Sequence, residues 1–260
     1  MQVNEIIQIL EKQGYWVNWD KTRDHLIHGD LSQSVNRIGV CWMATFQVIQ
    51  EAQEKGIDFL ITHENPFYMA STQPNTLALM AAERKKQLLS KLGISVYRCH
   101  DVWDCIENVG VSDMWANRLG FSFDKRQPGS YNHFAEIKPM TAIDLCTHVA
   151  HCLVEDGQNG AWLFGRKDKV IRRLAIGTGA ATDVWSMLKE DVDAVIVSDD
   201  GVKTFGEGQY LLDHDKAMIM VSHAPSEIAG IKAMAVWLQS QVDVLVDYID
   251  CGYEVNCVSI

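Results

Sequence analysis

Three short apolar stretches of this chain each run into a histidine with a carboxylate close behind. DFLITHE ends at His63 and Glu64, SVYRCHDVWD carries His100 and Asp104, and AMIMVSHAPSE carries His223 and Glu227. Imidazole and carboxylate are the donors that divalent cations take up. Open α/β sheets present their chemistry at strand ends, so three such ends could supply donors for a pair of ions. Pro66 disfavours helix at Asn65, so a sharp turn is expected at His63-Glu64, where adjacent residues could serve one ion each. His100 and Asp104 are four apart and share a face if a helical turn begins there; the carboxylate could then join the imidazole on an ion or fix its tautomer. His223 and Glu227 repeat the spacing. Pro225 is tolerated only in a first helical turn, which places a helix start near residues 222–224, with Ser222 as its N-cap and Glu227 able to bridge two cations. Each pair alone also fits a capping histidine beside a surface acid, or a simple hydrogen-bonded pair. Their recurrence in one context is what favours metal.

Other motifs say less. Gly177-Thr178-Gly179 reads as a tight strand-to-helix turn rather than a phosphate cradle, because the third glycine of the dinucleotide pattern is missing. Asp199-Asp200 reads as a solvated loop in preference to acids supporting a metal ligand. His25-x-x-His28 and His148-x-x-His151 read as structural or surface histidines. Cys99 points away from His100 if both lie in a strand, so core packing is expected of it.

Alternating helical and strand patterns must position these residues. Residues 3–13 read as an amphipathic helix stopped by Gly14, and 15–34 as irregular. A strand over 35–43, a helix over 46–55 closed by Gly56, a strand over 57–62, a helix over 76–92 closed by Gly93 and a strand over 94–99 spell βαβ grammar. A helix over 108–120 follows. Residues 121–139, with Pro128-Gly129 and Pro139, read as the connection between lobes, and Thr141 opens a helix to about residue 154. The second half repeats the grammar: strands over 169–176, 194–198 and 217–222, and helices over 182–189, 208–214 and 225–239. The tail, VDVLVDYIDCGYEVNCVSI, reads as strand or extended edge. The expected fold is α/β: two similar linked lobes, about 1–125 and 126–260, with mainly parallel sheets, a metal site in the cleft between them, and a tail able to return to the first.

Composition sets outer limits. The chain has 260 residues, 47% hydrophobic and 22% charged, with a formal net charge of −11. No basic run is longer than Arg84-Lys85-Lys86, expected on a solvated helix face, so neither nucleic acid nor an anionic membrane is an expected partner. No apolar stretch approaches the ~20 residues of a membrane span. Seven cysteines with no CxxC pair read as reduced thiols. The opening residues lack the regions of a signal peptide, and a cytoplasmic location is expected.

Taken together these segments resemble the NIF-three-like, or GTP cyclohydrolase I type 2-like, dinuclear metal-centre proteins. VNRIGVCWMATFQVIQEAQEKGIDFLITHENPFY is similar to that family's opening strand–helix–strand into a His-His-Pro loop. SVYRCHDVWDCIENVGVSDMWANRLG, LAIGTGAATDVW and AMIMVSHAPSEIAGIKAMAVWL resemble later family segments in the expected order. The resemblance implies that His63, Asp104, His223 and Glu227 are metal ligands and that His100 is a neighbouring ligand or substrate contact. It implies two α/β lobes and a hexameric ring of identical chains. Glu64 stands where the family has its second histidine, which would favour Mn or Mg over Zn. Lys203, Thr204 and Phe205 also depart from the family pattern.

The reading expects two divalent ions, drawn from Mn, Fe, Zn or Mg. His63, Asp104 and Glu227 would hold one; Glu64, His223 and Glu227 the other. They would activate water for hydrolysis of a small nucleotide or phosphoester, with His100 as proton shuttle. The alternative is a non-catalytic metal-binding or adaptor protein that uses its ring for partners.

Overall fold

The structure is a computed structural model and describes residues 1–68, 75–180 and 182–258. In chain order the first elements are α1 (Val3–Glu11), β1 (His25–His28), β2 (Arg37–Met43), α2 (Phe46–Lys55), β3 (Phe59–Glu64), α3 (Thr76–Leu92), β4 (Ser95–Arg98), α4 (Asp101–Cys105) and α5 (Val111–Leu119). There follow β5 (His133–Thr141), α6 (Ala142–Leu153), β6 (Trp162–Phe164), β7 (Val170–Ile176), α7 (Val184–Leu188) and β8 (Ala194–Ser198). The last are α8 (Gln209–Asp213), β9 (Ala217–Val221), α9 (His223–Gln239) and β10 (Leu245–Tyr248). The chain divides into two compact units, one of Met1–Gly110 with Ile231–Gly252, the other of Val111–Gly230 with Tyr253–Ile260.

The first unit holds a five-stranded sheet in the order β1-β4-β3-β2-β10. β4, β3, β2 and β10 are parallel and β1 is an antiparallel edge. The parallel run follows from βαβ crossovers whose caps are legible residue by residue. The Thr45 side chain accepts from Val48 N and Gly56 closes α2 in the left-handed region. The Asn75 side chain accepts from Leu77 N and Gly93 closes α3 likewise. Ile38, Val40, Phe59, Leu60, Ile61 and Val96 are fully buried, as strands covered on both faces must be.

Three expectations are corrected in this unit. β1 lies in the stretch expected to be irregular: HLIH has no strand periodicity and owes its conformation to pairing with Val96–Arg98 across the sheet edge. β3 runs through His63 and Glu64, because pairing with β2 continues to Met43 opposite Glu64, so the turn begins at Asn65. Lys85, expected on a solvated face, is 2% exposed. Its ammonium donates to the Pro66 carbonyl at 2.7 Å and stands 4.6 Å from the Tyr68 ring centre, which ties α3 to the turn after β3. Burial pushes its pKa down to about 8.

The second unit holds a sheet in the order β5-β7-β8-β9-β6, parallel in its three inner strands and antiparallel at both edges. One face is packed by Trp115 and Leu119 of α5 and Leu145 and Val149 of α6; the other by Val184 and Met187 of α7 and Leu211 of α8. The packing of α5 on this sheet places the division at Gly110, not near residue 125. The last seven residues of the expected connection, 133–139, are strand. β5 tolerates Pro139 because its register against β7 slips between Glu136 and Met140, and an edge strand can leave that position unpaired. In the tail, β10 pairs with β2; the last two residues lie outside the described residues. Among the described residues no helix is long and apolar enough to cross a membrane.

Candidate metal centre

In the first unit, β3 delivers His63 and Glu64, and β4 ends two residues before His100, whose successor opens α4. One turn on, α4 carries Asp104, so the i, i+4 pairing is realised. The His63 and His100 rings stack with centroids 4.5 Å apart and planes 4° apart. His63 is fully buried, and its Nδ1 lies 3.0 Å from the Cys99 carbonyl oxygen. A carbonyl only accepts, so Nδ1 carries a proton, and Nε2 is the nitrogen that faces Asp104 Oδ1 at 3.3 Å. His100 Nδ1 lies 3.0 Å from Asp104 Oδ2 and 3.1 Å from Asp101 Oδ1, and its Nε2 3.4 Å from Glu64 Oε1.

The electrostatics follow. Burial alone would lower the pKa of His100, but Asp104, Asp101 and Glu64 overturn that and raise it well above the ordinary histidine value. Burial would raise that of Asp104, but His100 and His63 hold it well below the usual carboxylate range. The centre therefore keeps ionised acids in a buried place and calls for positive charge among them. His63, His100 and Asp104 each bring one donor atom within 4.8 Å of the others. Two imidazoles and an ionised carboxylate at that spacing fit a divalent cation.

Two contributors had no signal in the sequence. Asp24, 4% exposed, accepts from the backbone N–H of His100, of Asp101 at 2.9 Å and of Val102 at 2.8 Å. It caps α4 from 76 residues away and so orients both His100 and Asp104. Asp24→Ala should cost about 1–2 kcal/mol by chemical denaturation and weaken metal affinity ~10-fold or more by chelator competition. The other is Arg98, which binds Glu64 at 2.7 Å. Asp101, which is adjacent to His100 in sequence, could have been found from that adjacency.

In the second unit, α9 starts at His223, within the expected window. His223 Nε2 lies 3.0 Å from Glu227 Oε1, and its Nδ1 2.7 Å from Asp200 Oδ2. Burial would lower the His223 pKa, yet Glu227 and Asp200 push it up to about 11. The expected Ser222 cap is replaced. Asp199 Oδ1 accepts the His223 N–H at 3.1 Å, and Asp199 Oδ2 accepts the Ser222 hydroxyl at 3.2 Å. With Pro225 in the first turn, one N–H that a serine cap would take does not exist. Asp199-Asp200 is thus no idle loop: it caps the helix and orients the histidine.

The glycine turn is tight for a reason unrelated to phosphate. Gly177 N–H donates to Ile196 O and Gly179 N–H to Ser198 Oγ, so both donors serve the unit itself. A Cβ on Gly179 would lie 2.8 Å from Glu227 Oε1 and 3.1 Å from His223 Nε2. Two of the histidines expected to be structural or on the surface have partners within their own unit: His28 Nε2 lies 3.2 Å from Ser90 Oγ, and His148 Nε2 2.8 Å from Leu119 O. Cys99 is buried in the core, as expected.

Comparison with known proteins agrees with this architecture. A Clostridium perfringens protein named GTP cyclohydrolase 1 type 2 homolog is 27% identical over 210 residues, covering 76% of this chain and 78% of its own. Two solved structures share the fold. One, titled protein ybgI of unknown function, has a TM-score of 0.80 at 21% identity and covers 98% of this chain and 100% of its own. The other, a Bacillus cereus protein related to NIF3, has a TM-score of 0.79 at 14% identity and covers 100% and 99%. The family model described as Duf34/NIF3 (NGG1p interacting factor 3) matches residues 1–251, and the chain belongs to that family.

Proposed function

We propose that this chain is a divalent-metal-binding protein and that the metal serves hydrolysis of a small nucleotide or phosphoester. The observation that carries the reading is the first unit's constellation: stacked His63 and His100 sharing buried Asp104. His63, His100 and Asp104 would hold metal there, with Glu64 beside them, and His223 and Glu227 are the second unit's donors. When bound, a divalent ion supplies Lewis acidity and brings the pKa of water toward ~7. The chain's own residues do the rest. His63 presents Nε2 because Nδ1 is committed to Cys99. His100 stands between Asp104 and Glu64, its Nδ1 3.0 Å from Asp104 Oδ2 and its Nε2 3.4 Å from Glu64 Oε1, and gives up a proton as it takes the ion. In the same reading the chain assembles with its own copies, as a hexameric ring, and works in the cytoplasm.

The alternative is a metal-binding or adaptor protein without turnover. It is favoured by one observation: Glu64 is paired with Arg98, an arrangement a hydrolytic centre does not need.

The deciding experiment is elemental analysis of protein purified without chelator, on wild type and Glu227→Ala, followed by a screen of esters, phosphodiesters and the GTP ring with the ion found. Two equivalents in wild type, reduced in the variant, with turnover of one substrate class, is the expected result. Tight metal without turnover moves the adaptor reading ahead. No metal, after Mn, Fe, Zn and Mg are each offered, ends both.

A further inference from the structure

Arg98, the last residue of β4, reaches across to the end of β3. Its Nε donates to the His63 carbonyl at 3.1 Å, and its Nη2 to Glu64 Oε2 at 2.7 Å. Glu64 Oε2 also accepts the Asn65 N–H at 3.3 Å, while Oε1 faces His100 Nε2 at 3.4 Å. The two side chains of the pair are 12% and 20% exposed, so water screens them little. The same arginine thus holds the backbone of one candidate ligand and the carboxylate of its neighbour.

We propose that Arg98 sets the metal preference of the first unit's centre: it cancels the charge of Glu64 and occupies one of its oxygens, so that the site favours Zn or Fe over Mn or Mg. The proposal rests on the metal-binding reading above. A carboxylate at position 64 by itself argues for a hard ion, because anionic oxygen donors suit Mg and Mn and imidazoles suit Zn and Fe. That argument assumes a carboxylate able to offer its full charge. Glu64 is not in that condition. Arginine does not lose its proton, so the neutralising charge stays when a cation arrives. The first unit's own residues then offer two imidazoles and one ionised carboxylate, Asp104, with Glu64 contributing at most a single oxygen of reduced charge. Asp101 does not restore the anionic count, since it is itself engaged by Arg23 at 3.2 Å and by Thr22 at 3.0 Å.

The test uses the full chain, stripped of metal, and measures Zn and Mn affinities for the first equivalent by competition with a chromophoric chelator. Wild type, Arg98→Met and Arg98→Met/Glu64→Gln are compared. Releasing Glu64 in Arg98→Met should narrow the Zn-to-Mn affinity ratio by ~10-fold or more, because charge count tunes hard-ion affinity. The double variant, which removes the released charge, should return the ratio to within about threefold of wild type; an arginine that serves folding alone gives no such rescue. An unchanged ratio in Arg98→Met, or no return in the double variant, overturns the proposal while leaving metal binding intact. Should Arg98→Met not fold, Glu64→Gln in the wild-type background decides. A Zn-to-Mn ratio within about threefold of wild type supports the proposal, and a ratio that widens by ~10-fold or more overturns it. Wild type that takes up neither ion removes the metal reading itself, and the role of Arg98 with it.

Discussion

Asp104→Asn should lower metal affinity by ~100-fold or more and take about 3 kcal/mol from the stability of the metal-free protein. The carboxylate is 5% exposed and touches both imidazoles, His63 at 3.3 Å and His100 at 3.0 Å. An amide of the same shape keeps the volume and removes the charge. It leaves a buried, protonated His100 with one strong partner fewer, which is the expensive way to break a buried pair. The stability difference has a pH window. Asp104 has a folded pKa below its unfolded value of ~3.9, so its contribution is present above that value and fades as pH falls toward the folded one. His100 has a folded pKa above its unfolded value of ~6.5, so its share is complete below that value and is lost as pH rises through the folded one. Urea denaturation of the metal-free proteins should therefore give the largest gap between about pH 5 and 6.5. Chelator competition reads the metal term separately. Equal metal affinity for the two proteins would remove Asp104 from the ligand set.

Gly179→Ala should damage the second unit's donors as severely as replacing one of them. The residue has a φ of +67°, where an L side chain costs about 1 kcal/mol, and the new methyl would meet Glu227 Oε1 at 2.8 Å and His223 Nε2 at 3.1 Å. Both atoms belong to side chains already fixed. Asp200 holds the far nitrogen of His223, and Glu227 is 2% exposed. The methyl can be accommodated only by moving the donors. We expect a loss of about 2–3 kcal/mol in denaturation and a fall in bound metal on elemental analysis. Gly56→Ala is the control: its φ of +69° carries the same backbone penalty, but no atom lies within 4 Å of the added methyl. It should cost about 1 kcal/mol and leave metal content alone. Matching effects in the two variants would mean that the Gly179 methyl is absorbed without displacing Glu227 or His223.

What could be read directly from the chain has local causes. Helices α2 and α3 end where Gly56 and Gly93 stand and begin after Thr45 and Asn75, because caps are settled within four residues. Two of the histidine–carboxylate pairs, His100/Asp104 and His223/Glu227, were legible for the same reason: an i, i+4 spacing becomes a shared face as soon as a helix forms. The edge strands β1, β5 and β6 were not legible, since each is extended only by pairing with a strand far away in sequence. Lys85 carries a charge that argues for solvent, yet it shares the buried face of α3 with Ala82 and Leu89, where the Pro66 carbonyl and the Tyr68 ring take the ammonium in.

The sequence by itself determined the α/β grammar, the family pattern and the choice of candidate donor residues, because periodicity, capping and spacing are properties of neighbours. Only the tertiary structure decided the state of those donors. Asp24 caps α4, Asp199 and Asp200 cap and orient His223, and Arg98 neutralises Glu64. Each of these partners reaches its donor from a different strand end or loop, and the charge on a buried group depends on what surrounds it in space, which no local pattern encodes.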